Sequence, residues 1–435
     1  MFLRTFRGLI QILGALGAGL AILLMLLAWR LSAGPVSLAF LSPYVERALQ
    51  ASQQSVRIEL DDTILTWAGW DRTFDIRVVN VRAIGPGGAV IASVPELAFS
   101  FSGRALLRGV VAPSNVELFG SSLRLVRDRD GRLRFGFEQG AEESEALLRG
   151  ALAAFLAPPD RDHPSGYLTR FSMVKTRLTV EDRVLQRTWR VPATEVRLWR
   201  QATGIGGSAS FELEAGDRPA RVKASGSYHM DARRVDLDVD FSDVVPAKYA
   251  QVLPRMADLS AVEVPLEGTL RIAMSVDGEL ANLAFDVKGG GGRLRLPDPL
   301  AQWLGVAGLN ARGRYQGASQ VLEIEEIVVD AGAGGTLRLP PQGHVLPLDK
   351  VRARGRYFRK ERRLEVDSLR MKTGGPVAAV NARVEGVGGD LTIMADASLD
   401  RAAVDDFPRY WPKGWGEDSR KWALANLSDG VATDL

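Results

Sequence analysis

The feature that most constrains this chain is a strict two-residue rhythm in its second half. Val235, Leu237, Val239 and Phe241 alternate with Asp236, Asp238 and Asp240. Leu270, Ile272, Met274 and Val276 alternate with Arg271, Ala273, Ser275 and Asp277, and Leu283, Phe285 and Val287 follow in the same phase. Successive side chains of a strand point to opposite faces, so this pattern gives strands with one apolar and one wet face, the habit of antiparallel sheets. A helix would scatter the same residues around its axis. The first half carries shorter runs of the kind, in Val56, Ile58 and Leu60 and in Phe74-Asp75-Ile76-Arg77-Val78. Leu123–Val126 and Leu133–Phe135 flank Asp128-Arg129-Asp130-Gly131, which reads as a hairpin turn.

An internal repeat strengthens the β reading. Gly313-Arg314-Tyr315 recurs as Gly355-Arg356-Tyr357, an offset of 42 residues. Leu322, Ile324, Ile327, Val329 and Gly332 recur as Leu364, Val366, Leu369, Met371 and Gly374. In both copies the apolar phase moves from even to odd positions after Ile324 and after Val366, which a strand manages only with an extra residue, a β-bulge. A fainter copy begins at Gly226-Ser227-Tyr228. Units of this size bury their apolar faces only beside neighbours, so the expected fold is mainly β, an elongated repetitive antiparallel sheet with a few short helices.

Helices are expected at four places. Ser42-Pro43 reads as a helix start, with a short helix through Gln50. Glu142 to Leu156 places Leu147, Leu148, Ala151, Leu152 and Phe155 on one face, and Pro158-Pro159 ends it. A short one covers Ala247–Leu253, and another Ser419–Leu427, where Trp422, Leu424 and Leu427 supply apolar bulk and Asp418, Arg420 and Lys421 a wet face. That last helix is expected to plug the end of the sheet, the other reading of the nearby Tyr410, Trp411 and Trp415 being a lipid-contacting lip.

The N-terminus reads as a membrane anchor. From Gly8 to Trp29 no charged residue occurs, and as a helix that run spans about 33 Å, enough for the hydrocarbon core. Arg4 and Arg7 precede it, so the amino terminus is expected in the cytoplasm and the rest of the chain exported. A cleaved signal peptide is the alternative, disfavoured by the length of the run and by Leu31-Ser32-Ala33 as a cleavage site.

Composition removes many functions. The chain has no cysteine, three histidines and a net charge of +3, which argues against disulfides, most zinc chemistry and a nucleic-acid partner. No Gly-Lys dipeptide, H-E-x-x-H or G-x-S-x-G occurs, so no catalytic residue, metal ligand or cofactor is assigned. The glycine runs 289–292 and 332–335 join β segments and read as turns. Asp61-Asp62 and Asp405-Asp406 read as capping or solvated carboxylates, and Arg124, Arg127, Arg129, Arg132 and Arg134, interspersed with Asp128 and Asp130, as a solvated hairpin.

The anchor, the hairpin Arg127–Leu133, the repeated Gly-x-Tyr units and Tyr410-Trp411-Pro412-Lys413 followed by Arg420-Lys421-Trp422 together resemble the YhdP branch of the AsmA-like family. The likeness runs over essentially the whole chain, and Tyr-Trp-Pro ahead of a helix with Arg-x-Trp is its most specific part. It implies a single-pass protein of a bacterial inner membrane with its bulk in the periplasm. It also implies carriage of membrane phospholipid toward the outer membrane along an apolar groove, with inner- and outer-membrane proteins as partners. Relatives are much longer, and this sequence stops where another strand is expected, so it reads as the N-terminal part of a longer protein. The segments expected are 1–34 for the anchor, 35–157 for an α+β part, 158–400 for the repetitive β-groove and 401–435 for an aromatic helical part.

The groove candidates are Val235, Leu237, Val239, Phe241, Leu270, Ile272, Met274, Leu283, Phe285, Val287, Leu322, Ile324, Leu364 and Val366. Two coverings of that face stay open from the residues alone. A second sheet would close it into a sandwich. Acyl chains would fill it as a groove, where about 14 buried methylenes at about 0.8 kcal/mol each contribute on the order of 11 kcal/mol. The alternative function is a non-enzymatic scaffold or assembly factor for outer-membrane proteins that pairs with strand edges.

Overall fold

Both alternation and repeat become strands in the computed structural model. It describes residues 56–66, 75–85, 87–110, 112–139, 141–160, 162–184, 186–213, 219–250, 259–297, 300–339, 343–411, 413–414 and 416–433, with isolated positions 18, 19, 25, 36 and 37. The Gly8–Trp29 span, apart from three of those isolated positions, and the helix expected after Ser42 lie outside the described residues. Among the described residues no helix is long and apolar enough to cross a membrane. The described chain is mainly β, and it divides into two compact units, Met1–Arg200 and Gln201–Leu435.

In the first unit, β1 (Arg57–Glu59) and β2 (Asp62–Thr66) both pair with β3 (Asp75–Ile84), and β3 with β4 (Val90–Phe101). Next come β5 (Pro113–Phe119), β6 (Ser122–Arg127) and β7 (Leu133–Phe137), helix α1 (Ala141–Leu156), β8 (Arg170–Asp182) and β9 (Arg187–Gln201). β6 and β7 form the expected hairpin around Gly131, whose φ of 83° suits glycine. β8 runs parallel to β5 and then to β6, so α1 serves as the crossover that parallel strands require. That pairing belongs to the first unit, which runs to Arg200. Residues with positive φ re-phase two strands: Asn80 moves β3 from Ile76 and Val78 to Val81 and Ala83, and Lys175 moves β8 from Phe171 and Met173 to Leu178. The buried core gathers Val78, Ile91, Leu118, Leu123 and Phe137, with Leu148 of α1 packed against it.

The second unit is built on a run of antiparallel neighbours. In chain order they are β10 (Gly204–Leu213), β11 (Ala220–His229), β12 (Arg234–Val244), β13 (Leu266–Ser275), β14 (Leu280–Gly289) and β15 (Gly308–Gln316). β16 (Val321–Asp330), β17 (Lys350–Phe358), β18 (Arg363–Lys372), β19 (Val377–Glu385) and β20 (Thr392–Leu399) complete the run. Each pairs with the next. The repeat is two successive hairpin units of this sheet, and its bulges are where the phase change puts them. Opposite Arg312 and Gly313 stand Glu326 and Ile324, leaving Glu325 extra, and opposite Arg354 and Gly355 stand Ser368 and Val366, leaving Asp367 extra.

Two small sheets form from the connections: Val262–Glu263 with Gly292–Arg295 and Trp303–Val306, and Thr336–Leu339 with His344–Pro347. The glycine runs are their turns, with Gly291, Gly332 and Gly334 at positive φ. The C-terminal segment makes its own small core from Ala402, Phe407 and Ala423, the last on helix α2 (Glu417–Asn426). Here one expectation is corrected. Trp422 is 62% exposed, and Leu424 and Leu427 are exposed as well, while Ala423 is buried. A helix turns about 100° per residue, so seating the small Ala423 against Phe407 swings both of its neighbours away from that contact.

Candidate functional site

Register decides which residues meet. Directly paired residues of antiparallel strands share a face, so the pairings can be followed across the sheet as rows. One row runs Leu237, Ile272, Leu283, Tyr315, Leu322, Tyr357, Leu364, Val384. The next runs Val239, Leu270, Phe285, Gly313, Ile324, Gly355, Val366, Ala382. Val235 pairs with Met274 on one flank, and Phe241 and Val287 both face Gly268 on the other. All fourteen candidates therefore lie on one face of one sheet.

That face is neither packed away nor bare. Each of the fourteen side chains is half-buried. A second sheet laid across these rows would bury them, as inner faces of sandwiches are buried. Instead the covering is marginal. The row Leu266, Gly289, Leu309, Val329, Val351, Met371 lies under the two small sheets, where Leu304, Val306 and Leu337 of their strands and Val264 and Leu348 just beyond them are buried against it. Beyond that margin no second sheet among the described residues covers the rows of Leu237 and Val239, and their candidate side chains stay half-buried.

The Gly-x-Tyr repeat has a local reason. At Gly313 a Cβ would sit 2.4 Å from the Glu323 carbonyl oxygen and 2.8 Å from Cζ of Phe285. At Gly355 it would sit 2.3 Å from the Glu365 carbonyl oxygen. Glycine there lets the Phe285 ring lie over the neighbouring strand, and Tyr315 and Tyr357 then fill the adjoining row. These two tyrosines, with Val384 and Ala382, belong to the face and were not among the candidates. The Gly-x-Tyr unit was the signal that marked the tyrosines; nothing local marks Ala382.

The opposite face is charged and internally paired. Arg314 Nε donates to Glu323 at 2.7 Å, Arg352 reaches Glu326 at 3.4 Å, and Glu365 receives Arg356, Arg363 and Arg383 at 3.2, 3.2 and 3.4 Å. The hydrogen bond from Arg314 holds the Glu323 carboxyl below its ordinary range. In the first unit the arginine-rich hairpin is paired too: Arg134 to Asp128 at 2.7 Å, Arg127 to Asp182 at 3.1 Å and Arg132 to Asp130 at 3.3 Å. Asp61 meets Arg82 at 3.0 Å, and Asp62 accepts from the Thr63 N–H and the Ser37 hydroxyl. Among the described residues no group of three or more His, Cys, Asp or Glu could hold a metal ion. The arrangement offers apolar contact over a long face.

Comparison with known proteins adds no identity: no family model matches the chain, and neither a curated protein nor a solved structure matches it.

Proposed function

We propose that this chain is a non-enzymatic lipid carrier that holds phospholipid acyl chains along the apolar face of its second unit. The observation that carries this reading is the half-burial of all fourteen candidate side chains on a sheet face that the described residues cover only at one margin. Apolar area left open to water costs about 25 cal/mol per Å², so a face of this extent gains most from an apolar occupant. The occupant's polar head would stay at the open side, away from the small sheets. The sequence resemblance supports the same reading and extends it. The Gly8–Trp29 segment would anchor the chain in a bacterial inner membrane, with both units in the periplasm and phospholipid passing toward the outer membrane.

The test is photocrosslinking of the intact chain to a phospholipid carrying a diazirine in one acyl chain. Labelling is expected on β12 to β16. Leu237→Asp and Ile272→Asp place a charge in the path of the chain, so labelling is expected to fall while circular dichroism stays native. Undiminished labelling in the folded variants would refute the assignment.

A second reading rests on one feature, the edge of the sheet. β20 pairs on one side only among the described residues, and Ile393 and Met394 on it are 57% and 52% exposed. Such an edge suits strand addition by an unfolded membrane protein. Saturable binding of extended peptides by lipid-free protein, with no lipid labelling, would favour the scaffold.

A further inference from the structure

A second apolar space lies in the first unit, where the sequence assigns nothing. Helix α1 spans one face of the sheet above a cavity of about 470 Å³. The face predicted to be apolar is the one turned to it: Leu148, Ala151, Leu152 and Phe155 line the cavity from above. Phe171 and Met173 of β8 line it from below, among other sheet residues. The volume falls within the roughly 300–1,000 Å³ of ligand sites.

Leu148 packs against the core, and the helix is also held at both ends. Near its start the buried Ser144 hydroxyl accepts the Phe137 N–H at 3.0 Å. At its end Arg200 donates to the carbonyls of Ala157, Ala154 and Leu168 at 2.7, 3.1 and 2.9 Å, and its guanidinium stacks over the Phe155 ring at 5.2 Å. The bonds to Ala154 and Ala157 satisfy carbonyls that a helix end leaves free, and together these contacts fix α1 over the space. Leu152, though it lines the cavity, is 47% exposed, so the cavity has an apolar mouth.

We propose that this cavity seats a single acyl chain, tail inward beneath α1. Of the described residues that line it, only Glu145 and Arg149 are polar, and they pair with each other across one helical turn. A ligand with a polar group along its buried length would leave that group without a partner. A chain with its polar end outside, in water, meets no such cost. This site does not depend on the reading of the second unit's sheet.

The experiment uses the intact chain held in amphipol and two probes with the same mid-chain diazirine, a free palmitic acid and a diacyl phosphatidylglycerol. Labelled peptides are mapped by mass spectrometry. Labelling of the peptides containing Leu148–Phe155 or Phe171–Met173 is expected. It should fall about tenfold when Ala151→Trp or Met173→Trp fills the space. Labelling there by both probes supports the proposal with a phospholipid chain as its source, and labelling by the acid alone supports it with a free fatty acid. No label in those peptides, or label unchanged in both folded tryptophan variants, overturns it. Peptides of residues 266–289 report separately on the second unit, so the loss of one site is told apart from the loss of the other.

Discussion

The two units start from the same raw material, a sheet with one apolar face, and treat it differently. In the first, Val78 and Leu123 are 0% and 2% exposed, and a helix crosses the face as the connection between parallel strands. In the second, the connections are tight hairpins on one side and two small sheets on the other, and the central rows stay half-buried. What an apolar face becomes is thus decided by its connections. A crossover long enough to form a helix reaches over the sheet; a hairpin turn cannot.

The sharpest way to break this comparison is to put the same charge into both faces. Leu123→Asp should cost about 4 kcal/mol or more and unfold the first unit, since a fully buried leucine is lost and a carboxylate is left unpaired. Leu237→Asp should cost only about 1 kcal/mol, because water reaches the half-buried row. Hydrogen exchange read peptide by peptide would assign each loss to its unit. Equal losses would mean that the second face is covered after all.

A somewhat smaller effect is expected inside the second unit. Gly313→Val and Gly355→Val should each cost about 2–3 kcal/mol, as the added side chain meets a carbonyl and overpacks the row. Because the two positions are equivalent in the repeat, similar losses are expected in β15–β16 and β17–β18, read by thermal denaturation and local exchange. A tolerated valine at either would show that the rows slide past each other freely.

The first unit offers a milder contrast. Ser121 and Thr176, both buried, share a hydroxyl–hydroxyl hydrogen bond of 2.9 Å between the β5–β6 joint and β8. Ser121→Ala should cost about 1–3 kcal/mol by stranding the Thr176 hydroxyl, and adding Thr176→Val should restore part of it. A double variant that simply adds the two single losses would deny the coupling.

The smallest effect concerns pH. The hydrogen bond and charge of Arg134, with the charge of Arg183, hold the Asp128 carboxyl below its ordinary value. A depressed folded-state value means that its contribution to stability is present above the ordinary carboxylate range and is lost as pH falls through the lowered value. Wild type and Asp128→Asn should therefore differ at neutral pH in exchange around the hairpin and converge in strong acid. A gap that persists in strong acid would place the effect elsewhere.

Much of this was legible in the chain. Alternation from Val235 to Phe241 and from Leu270 to Val276 fixed both the strand state and the face, because side-chain direction in a strand is a matter of parity alone. The phase change after Ile324 and Val366 located two bulges for the same reason. The apolar face of α1 was equally plain from its period. Tertiary contacts are not written in the local pattern. Nothing in Trp422, Leu424 and Leu427 told that Ala423 would be the residue seated on Phe407, since which side of a short helix turns inward depends on what it lands upon. The extent of the first unit is not legible locally, because a polar stretch looks like a linker, whereas β8 returns beyond it to pair with β5 and β6. Local pattern thus determined the strands, their apolar side and the bulges, because these follow from backbone geometry over a few residues. Which face is covered, by what, and where a space is left between α1 and the sheet were decided only when distant segments met, because burial belongs to a pair of surfaces and each segment carries just one of them.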